Sequence, residues 1–197
     1  MTLESPTDRR KRRTHTAVLD AAATLFAGHG YRATTIEMLA RAADVAVSSI
    51  YANFTGGKAD VYVALAWRTT TEHVRDMTDA VSVADVFDRY VVFHRDTPLA
   101  LRLLALYDVD SAESPLVAVA KSRIDAALAG LVEDLAGRVA SAGPDTDPRV
   151  LASTVWASVN GAVSLRQRRM VDEPTFEAMV ALIRNDLLGH IEGDGDA

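Results

Sequence analysis

The stretch from Thr34 to Phe54 constrains the fold more than any other part of the chain. It contains two short runs in which apolar residues recur at helical spacing, separated by a turn at residues 43–46. Thr34 or Thr35 can cap the first run, because a threonine oxygen accepts a hydrogen bond from a free amide one turn on. Asp44 stands at the corner, where a positive φ is expected and aspartate is tolerated. The pattern predicts a helix-turn-helix unit.

The second run presents a small, uncharged face once its apolar side is buried. Ile50 and Phe54, four residues apart, supply that apolar side. Hydroxyl and amide groups on the other side fit the major groove of DNA, where they meet base edges and phosphates. The outward residues are Val47, Ser48, Ser49, Tyr51, Ala52 and Asn53.

Charge is distributed unevenly along the 197 residues. The net charge is −6, but residues 1–58 contain eight Lys and Arg against five Asp and Glu, whereas residues 59–197 contain 13 against 22. A basic end on an acidic body is expected when only that end meets phosphate. The strongest basic run is Arg9, Arg10, Lys11, Arg12 and Arg13. It is either an arm that binds the DNA backbone or a solvated run of charge.

Several short motifs in the first third of the chain resemble the TetR family of bacterial transcriptional regulators. They are Ala17–Ala22 with Leu25-Phe26, Gly30-Tyr31, Thr34-Thr35, Asp44-Val45, Ile50-Tyr51, Phe54 and Lys58. Three positions depart from the family pattern: Asp44 replaces a glycine, Ala46 replaces a common serine cap, and Gly56-Gly57 places Lys58 one residue late. Residues 156–161 read Trp-x-x-x-Asn-Gly, similar to a Trp-x-x-x-His-Gly signature of one subgroup.

The resemblance implies a DNA-binding domain over residues 1–56 and a helical effector-binding and dimerisation domain over residues 57–197. The implied function is that of a homodimeric repressor, which binds a double-stranded DNA operator and is released by a small effector of unknown identity. The absence of Cys favours a cytoplasmic location. Few charged residues fall on the proposed effector lining, so the effector is expected to be largely apolar. The residues expected at DNA are Arg9, Arg10, Lys11, Arg12, Arg13, Thr34, Thr35, Val47, Ser48, Ser49, Tyr51, Asn53 and Lys58.

Helical spacing continues through the rest of the chain, and no segment has a convincing strand pattern. The first helix is expected over about residues 10–27, ended by Gly28–Gly30 in the manner of a C-cap. Later helices are expected over about residues 57–79 and 83–95, with four more opened by Pro98, Pro115, Pro148 and Pro174. The sequence therefore predicts an all-α fold of about nine helices.

Aromatic and polar side chains are spread over the predicted helices of the body. They either line a pocket for a small apolar ligand or fill the core. His94, which is close to Asp96, is either a polar residue at a helix end or a hydrogen-bonding group for a ligand. The candidate effector-binding residues are Trp67, Tyr90, Phe93, His94, Leu103, Tyr107, Trp156 and Asn160.

The last two helices carry more apolar surface than one small body can bury. The resemblance implies that they pair with their copies as a four-helix bundle in a two-fold dimer. The alternative is that both helices cap the core of a monomer. The candidate dimerisation residues are Val155, Val159, Val163, Phe176, Met179, Ile183 and Leu187.

The sequence contains no pattern typical of an enzyme. It has no Cys and five scattered His, none at metal-ligand spacing, so we expect neither a metal nor a cofactor. No run approaches the ~20 apolar residues of a membrane span, so no membrane partner is expected. A helical enzyme or lipid carrier on the same scaffold, and an adaptor that acts only through protein contacts, are the alternatives to a regulator.

Overall fold

The computed structural model describes residue 3, residues 6–143 and residues 146–191. Within these ranges every regular element is an α-helix, which confirms the predicted all-α fold and its nine helices. The helices are α1 (Arg9–Ala33), α2 (Ile36–Ala42), α3 (Val47–Asn53), α4 (Lys58–Thr78), α5 (Val83–Asp96), α6 (Ala100–Leu104), α7 (Leu116–Ala140), α8 (Pro148–Gln167) and α9 (Glu173–Ile191). No helix in the described ranges is long and apolar enough to cross a membrane.

The chain divides into two compact units. Unit 1 contains the described residues up to 71 together with residues 102–125. Unit 2 contains residues 72–101 and the described residues from 126 onward. The segment after α5 therefore returns to the unit that carries the helix-turn-helix, which local sequence patterns do not reveal.

The corner between α2 and α3 has the predicted backbone. Asp44 has φ 52°, a left-handed conformation that asparagine, aspartate and glycine adopt most readily. Thr35 caps α2, and its hydroxyl oxygen accepts from the Met38 amide at 3.2 Å. Ala46 precedes α3 without a side-chain cap, so α3 lacks the ~1 kcal/mol that a serine or threonine cap supplies.

The first helix is longer than predicted. Asp8 caps its start by accepting from the Lys11 amide at 2.8 Å. Helical structure extends to Ala33 and not to about residue 27, with one interruption at Gly30, which has φ 79° and ψ 164°. Gly28 continues the helix, so only the last glycine of the Gly28–Gly30 run breaks it.

Several aromatic rings pack together in the core of unit 1. Phe26, Tyr31 and Tyr62 pack with ring centroids 5.2–5.7 Å apart. His15 stacks on Phe54 at 4.9 Å, which fixes the end of α3 against α1. Ile50 and Phe54 are fully buried, as their spacing predicted.

Three side-chain hydrogen bonds tie the helix-turn-helix region to residues 108–114. The Tyr31 and Tyr62 hydroxyls donate at 2.8 Å to Glu113 and Asp108, respectively. The Ser114 hydroxyl donates at 2.5 Å to the buried Asp60 carboxylate. The same carboxylate accepts from the Gly56 amide at 2.6 Å, so it holds the turn that follows α3.

Unit 2 is built around α5, α8 and α9. Asp147 caps α8, accepting from the amides of Arg149 at 2.8 Å and Val150 at 3.2 Å, as the Asp-Pro start predicted. The inward faces of α8 and α9 pack on each other and on α5. Five predicted dimerisation residues belong to this core and are buried within one chain: Val155, Val159, Val163, Phe176 and Leu187.

Those five side chains are therefore not available at the surface of one chain, and their placement at a dimer seam is wrong. The reason is that apolar spacing identifies a buried face without specifying whether the covering helix belongs to the same chain. Met179 and Ile183, the other two candidates, are partly buried at the edge of the same core.

Candidate functional site

The outward face of α3 is an exposed, uncharged helical surface in the same unit as the basic segment. Val47, Ser48 and Tyr51 are exposed, with Tyr51 at 49%. Ser49 and Asn53 are half-buried, and the Asn53 amide donates to the Ser49 carbonyl at 2.8 Å. The face thus offers one phenol and one exposed hydroxyl to a partner, with a second hydroxyl at its edge.

The two threonines before α2 have different environments. Thr35 is exposed and caps the helix. Thr34 is fully buried, and its hydroxyl donates to the Gly30 carbonyl at 2.8 Å. Thr34 stabilises the break in α1, and its predicted place among the DNA-facing residues is wrong because its side chain does not reach the surface.

The basic run forms the first turns of α1 and is exposed throughout. Arg9, Arg10 and Arg13 line one side of an open groove of about 640 Å³. Ala43, Asp44 and Val45 of the helix-turn-helix corner line the other side. The arginines consequently lie next to the helix-turn-helix corner and increase the local positive potential there.

Lys58 performs a structural task that its sequence position did not reveal. Its ammonium group donates to the Tyr31 carbonyl at 2.8 Å and to the Arg32 carbonyl at 3.4 Å. It also lies 4.3 Å from the centre of the Tyr31 ring. Lys58 therefore satisfies carbonyls at the end of α1, where a cation also complements the helix dipole.

The predicted effector-binding residues do not form one group. Trp67, Leu103 and Tyr107 belong to unit 1, where the Arg123 guanidinium lies 4.2 Å from the Trp67 ring and Leu103 is core. Tyr107 is 78% exposed, so it lines no enclosed pocket. The other five, Tyr90, Phe93, His94, Trp156 and Asn160, all belong to unit 2.

In unit 2 the structure gathers aromatic rings around two histidines. The Tyr90 hydroxyl donates to Asn160 at 2.6 Å, and its ring lies 4.7 Å from Trp156 and 4.6 Å from His94. His73, which sequence reasoning missed, stacks on Phe93 at 3.9 Å and lies 6.1 Å from His94. We call these six residues the histidine cluster.

A signal for His73 was present in the spacing of α4. Ala66, Thr70, His73 and Met77 follow the helical spacing of a buried stripe, and all four are buried. His73 occupies the one position on this stripe where an ionisable group replaces a small or apolar residue. Pattern reading that treats histidine as a surface residue overlooks such a position.

Both histidines of the cluster are held neutral by burial. Burial lowers the pKa of His73 to about 4. Burial, and then the charge of His73, lower the pKa of His94 to about 3. None of their four ring nitrogens makes a hydrogen bond to any group in the described ranges.

A small apolar cavity adjoins the cluster. Its volume of about 30 Å³ holds no more than a water molecule or two. Tyr90 and Trp156 are the cluster members that line it, together with Met77, Val86, Phe87, Leu131, Asp134, Leu135, Val155, Val159 and Leu187. Tyr90 is therefore the contact between this cavity and the two imidazoles.

Residues 18–65 match the model of the bacterial regulatory proteins, tetR family. Over this segment the chain is similar to the TetR family. The matched residues include all of α2 and α3 with the Asp44 corner, so the match contains the exposed α3 face described above. No curated protein matches the sequence significantly.

Solved structures with the same fold include several regulators. A TetR-family transcriptional regulator from Cytophaga hutchinsonii is 18% identical, covering 96% of this chain and 100% of its own, with a TM-score of 0.72. GusR from Salmonella enterica is 17% identical, with coverage of 92% and 97% and a TM-score of 0.65. The fatty acid degradation regulator FadR from Bacillus halodurans is 21% identical, with coverage of 89% and 95% and a TM-score of 0.62. At these identities the likeness establishes a TetR-like fold over most of the chain.

Proposed function

We propose that this TetR-family protein is a dimeric repressor that binds a palindromic operator and is released by a small, largely apolar effector. The observation that carries the proposal is the exposed, uncharged face of α3 beside five exposed cations of α1. A surface of this kind combines groups that read base edges with charges that hold phosphates. The proposed location is the cytoplasm, where the operator is, and the proposed role is regulatory and not enzymatic.

The proposed DNA contacts follow the exposure of each residue. Val47, Ser48, Ser49 and Tyr51 of α3 enter the major groove, and Asn53 stands at the edge of the contact because its amide is already paired. The phosphates are held by Thr35, by the remaining N–H of Lys58 and by the basic run at residues 9–13. Thr34 is left out because its side chain is buried.

Removal of single hydroxyls from α3 tests the reading face. We expect Ser48→Ala and Tyr51→Phe each to weaken operator binding by about 30-fold, because a dimer loses two hydrogen bonds that contribute about 1 kcal/mol each, and to leave binding to random DNA nearly unchanged. Gel shifts on DNA flanking the gene and on random duplexes of equal length measure both affinities. Ser122→Ala, on an exposed serine of α7, is the matched control.

The same gel shifts separate the function classes. A folded protein that bound neither duplex would favour the lipid-carrier, enzyme or adaptor alternatives over a repressor. Equal loss on both duplexes would place Ser48 and Tyr51 on the phosphate backbone and not on the bases.

For the dimer we propose the outward faces of α8 and α9 in place of the buried residues predicted from sequence. These faces are exposed and uncharged, and Leu182 is 71% exposed. Their residues recur at helical spacing: Thr154, Ala157 and Gly161 on α8, and Ala178, Leu182 and Asn185 on α9. A two-fold dimer through this surface would present two helix-turn-helix units to operator half-sites about one turn of DNA apart, ~34–36 Å or a multiple.

The proposed seam is tested by adding bulk at Gly161. A Cβ at this position meets no atom within 4 Å in one chain, so Gly161→Leu is expected to leave the subunit folded. The added side chain is expected to raise the dissociation constant of the dimer by about 10-fold or more, because it overpacks the proposed seam. Gly137→Leu is the matched control, because a Cβ at Gly137 also meets nothing within 4 Å and α7 lies outside the proposed seam.

Sedimentation equilibrium at micromolar concentration measures both variants. A wild-type protein that sedimented only as the 21.2 kDa species would remove the dimer from the proposal. Equal effects of Gly161→Leu and Gly137→Leu would move the seam to another surface.

For the effector we propose a site in unit 2 that includes the histidine cluster and the adjoining cavity. Binding there is proposed to weaken operator binding, and the coupling must be reciprocal: DNA weakens effector binding by the same factor. A typical coupling free energy is ~1–3 kcal/mol, or roughly 5–150-fold in affinity. The aromatic and aliphatic lining supports a largely apolar effector.

A further inference from the structure

Two buried imidazoles contribute four ring nitrogens that no described protein group pairs with. His73 is 1% exposed and His94 is 2% exposed. Both Nδ1 and Nε2 of each ring lie away from solvent without a hydrogen bond to the described residues. More than nine-tenths of buried polar groups in proteins are paired, so four such atoms on two neighbouring rings are exceptional.

The protonation state defines what the pair can bind. A neutral imidazole carries one N–H donor and one nitrogen acceptor, so the two rings together offer two donors and two acceptors. No carboxylate contributes to the pKa shift of either ring, so nothing in the cluster offsets a charge. A charged ligand group would enter this environment at a high desolvation penalty, whereas a neutral hydroxyl or carbonyl would not.

The rings around the imidazoles determine the rest of the ligand. Phe93 stacks on His73, and Tyr90 lies 5.4 Å from His73 and 4.6 Å from His94. Tyr90 also lines the apolar cavity, which it shares with Trp156. Displacement of the Tyr90 ring, which is held by its 2.6 Å bond to Asn160, would join the cavity to the imidazole nitrogens.

We propose that His73 and His94 are the polar end of the effector site and select a neutral ligand with a hydroxyl or carbonyl oxygen on an aromatic or alkyl body. The apolar body occupies the space of the displaced Tyr90 ring together with the small cavity beside Trp156, and the oxygen pairs with the imidazoles. This inference rests on the proposed effector response, and it adds the chemical class of the ligand.

Phenol and toluene are the probes, because they have nearly the same shape and differ in one hydroxyl. In a Trp67→Phe background, the fluorescence of Trp156 alone reports binding. We expect the protein to bind phenol about tenfold more tightly than toluene, which corresponds to one well-placed hydrogen bond. His73→Phe/His94→Phe is expected to abolish the preference and to retain toluene binding.

Thermal unfolding of the same variants separates a ligand site from a structural role. Phenylalanine replaces unpaired polar rings with apolar ones of similar size, so the double variant is expected to unfold at the same temperature or higher. His94→Gln retains a donor and an acceptor, and it is expected to retain part of the preference for phenol.

Three results would overturn the inference: equal affinity for phenol and toluene, no phenol binding up to its solubility limit, or an unchanged preference in the double variant. A double variant that unfolds at a lower temperature and shows no change in phenol binding would assign the imidazoles to structure. Failure of the proposed repressor function shows elsewhere, in the gel shifts without ligand. If the protein prefers phenol but phenol has no effect on operator binding, the ligand site is supported and its proposed coupling to DNA binding is rejected.

Discussion

Between pH 6.5 and pH 4 the free energy of unfolding is expected to fall by about 3 kcal/mol for each of the buried histidines His73 and His94. Their ordinary pKa is 6.5, whereas burial lowers it to about 4 in His73 and, with the charge of His73, to about 3 in His94. In this pH range the two imidazoles bind protons in the unfolded chain, whereas burial disfavours their protonation in the folded chain. The stabilisation is complete above pH 6.5 and is lost as the pH falls toward the folded-state values.

Urea unfolding at a series of pH values measures this loss. His73→Phe/His94→Phe is expected to remove most of the slope between pH 6.5 and pH 4, whereas His29→Gln, on an exposed histidine, retains it. The Asp108 carboxylate titrates later: the Arg102 guanidinium lowers its pKa below the ordinary 3.8, so its contribution is lost only below the histidine window. A double variant with the wild-type slope would show that other groups carry the acid sensitivity.

Replacement of the five cations at residues 9–13 by glutamine is expected to weaken binding to all DNA sequences by about 100-fold or more at moderate salt. If two side chains per subunit contact phosphates, a dimer loses four contacts. The slope of log K against log salt then flattens by about 3–4 units. Glutamine is a good helix former and the Asp8 cap does not depend on these side chains, so α1 is expected to remain folded.

The matched control neutralises two exposed cations of unit 2, Arg75→Gln and Arg168→Gln. This variant is expected to retain the wild-type salt slope, because its charges lie outside the basic run. Fluorescence anisotropy with operator and random duplexes at several salt concentrations distinguishes the two variants. A quintuple variant with an unchanged slope would mean that the basic run is only solvated charge.

The helix-turn-helix was predictable from sequence because its determinants are local. The Thr35 cap, the positive φ of Asp44 and the burial of Ile50 and Phe54 each follow from residue type and spacing over a few positions. The uncapped start of α3 at Ala46 was predictable for the same reason.

The candidate sites were less predictable because they depend on which elements meet. His73 and His94 are on different helices, and only tertiary packing brings their rings within 6.1 Å. Phe176 and Leu187 have the helical spacing expected of a dimer interface, but helices of the same chain bury their side chains. The role of Lys58 likewise depends on the position of the Tyr31 carbonyl, 27 residues away.

The hydrogen bonds that join Tyr31, Tyr62 and Asp60 to residues 108–114 also determine how the helix-turn-helix region could be exchanged between related chains. A chimaera that took residues 1–56 alone would separate Tyr31 from Glu113 and the Gly56 turn from the Asp60 carboxylate that holds it. The transplantable module is therefore discontinuous in sequence, comprising residues up to 71 and residues 102–125. A single crossover between these two segments would separate them, so we expect functional recombinants to take both segments from the same parent.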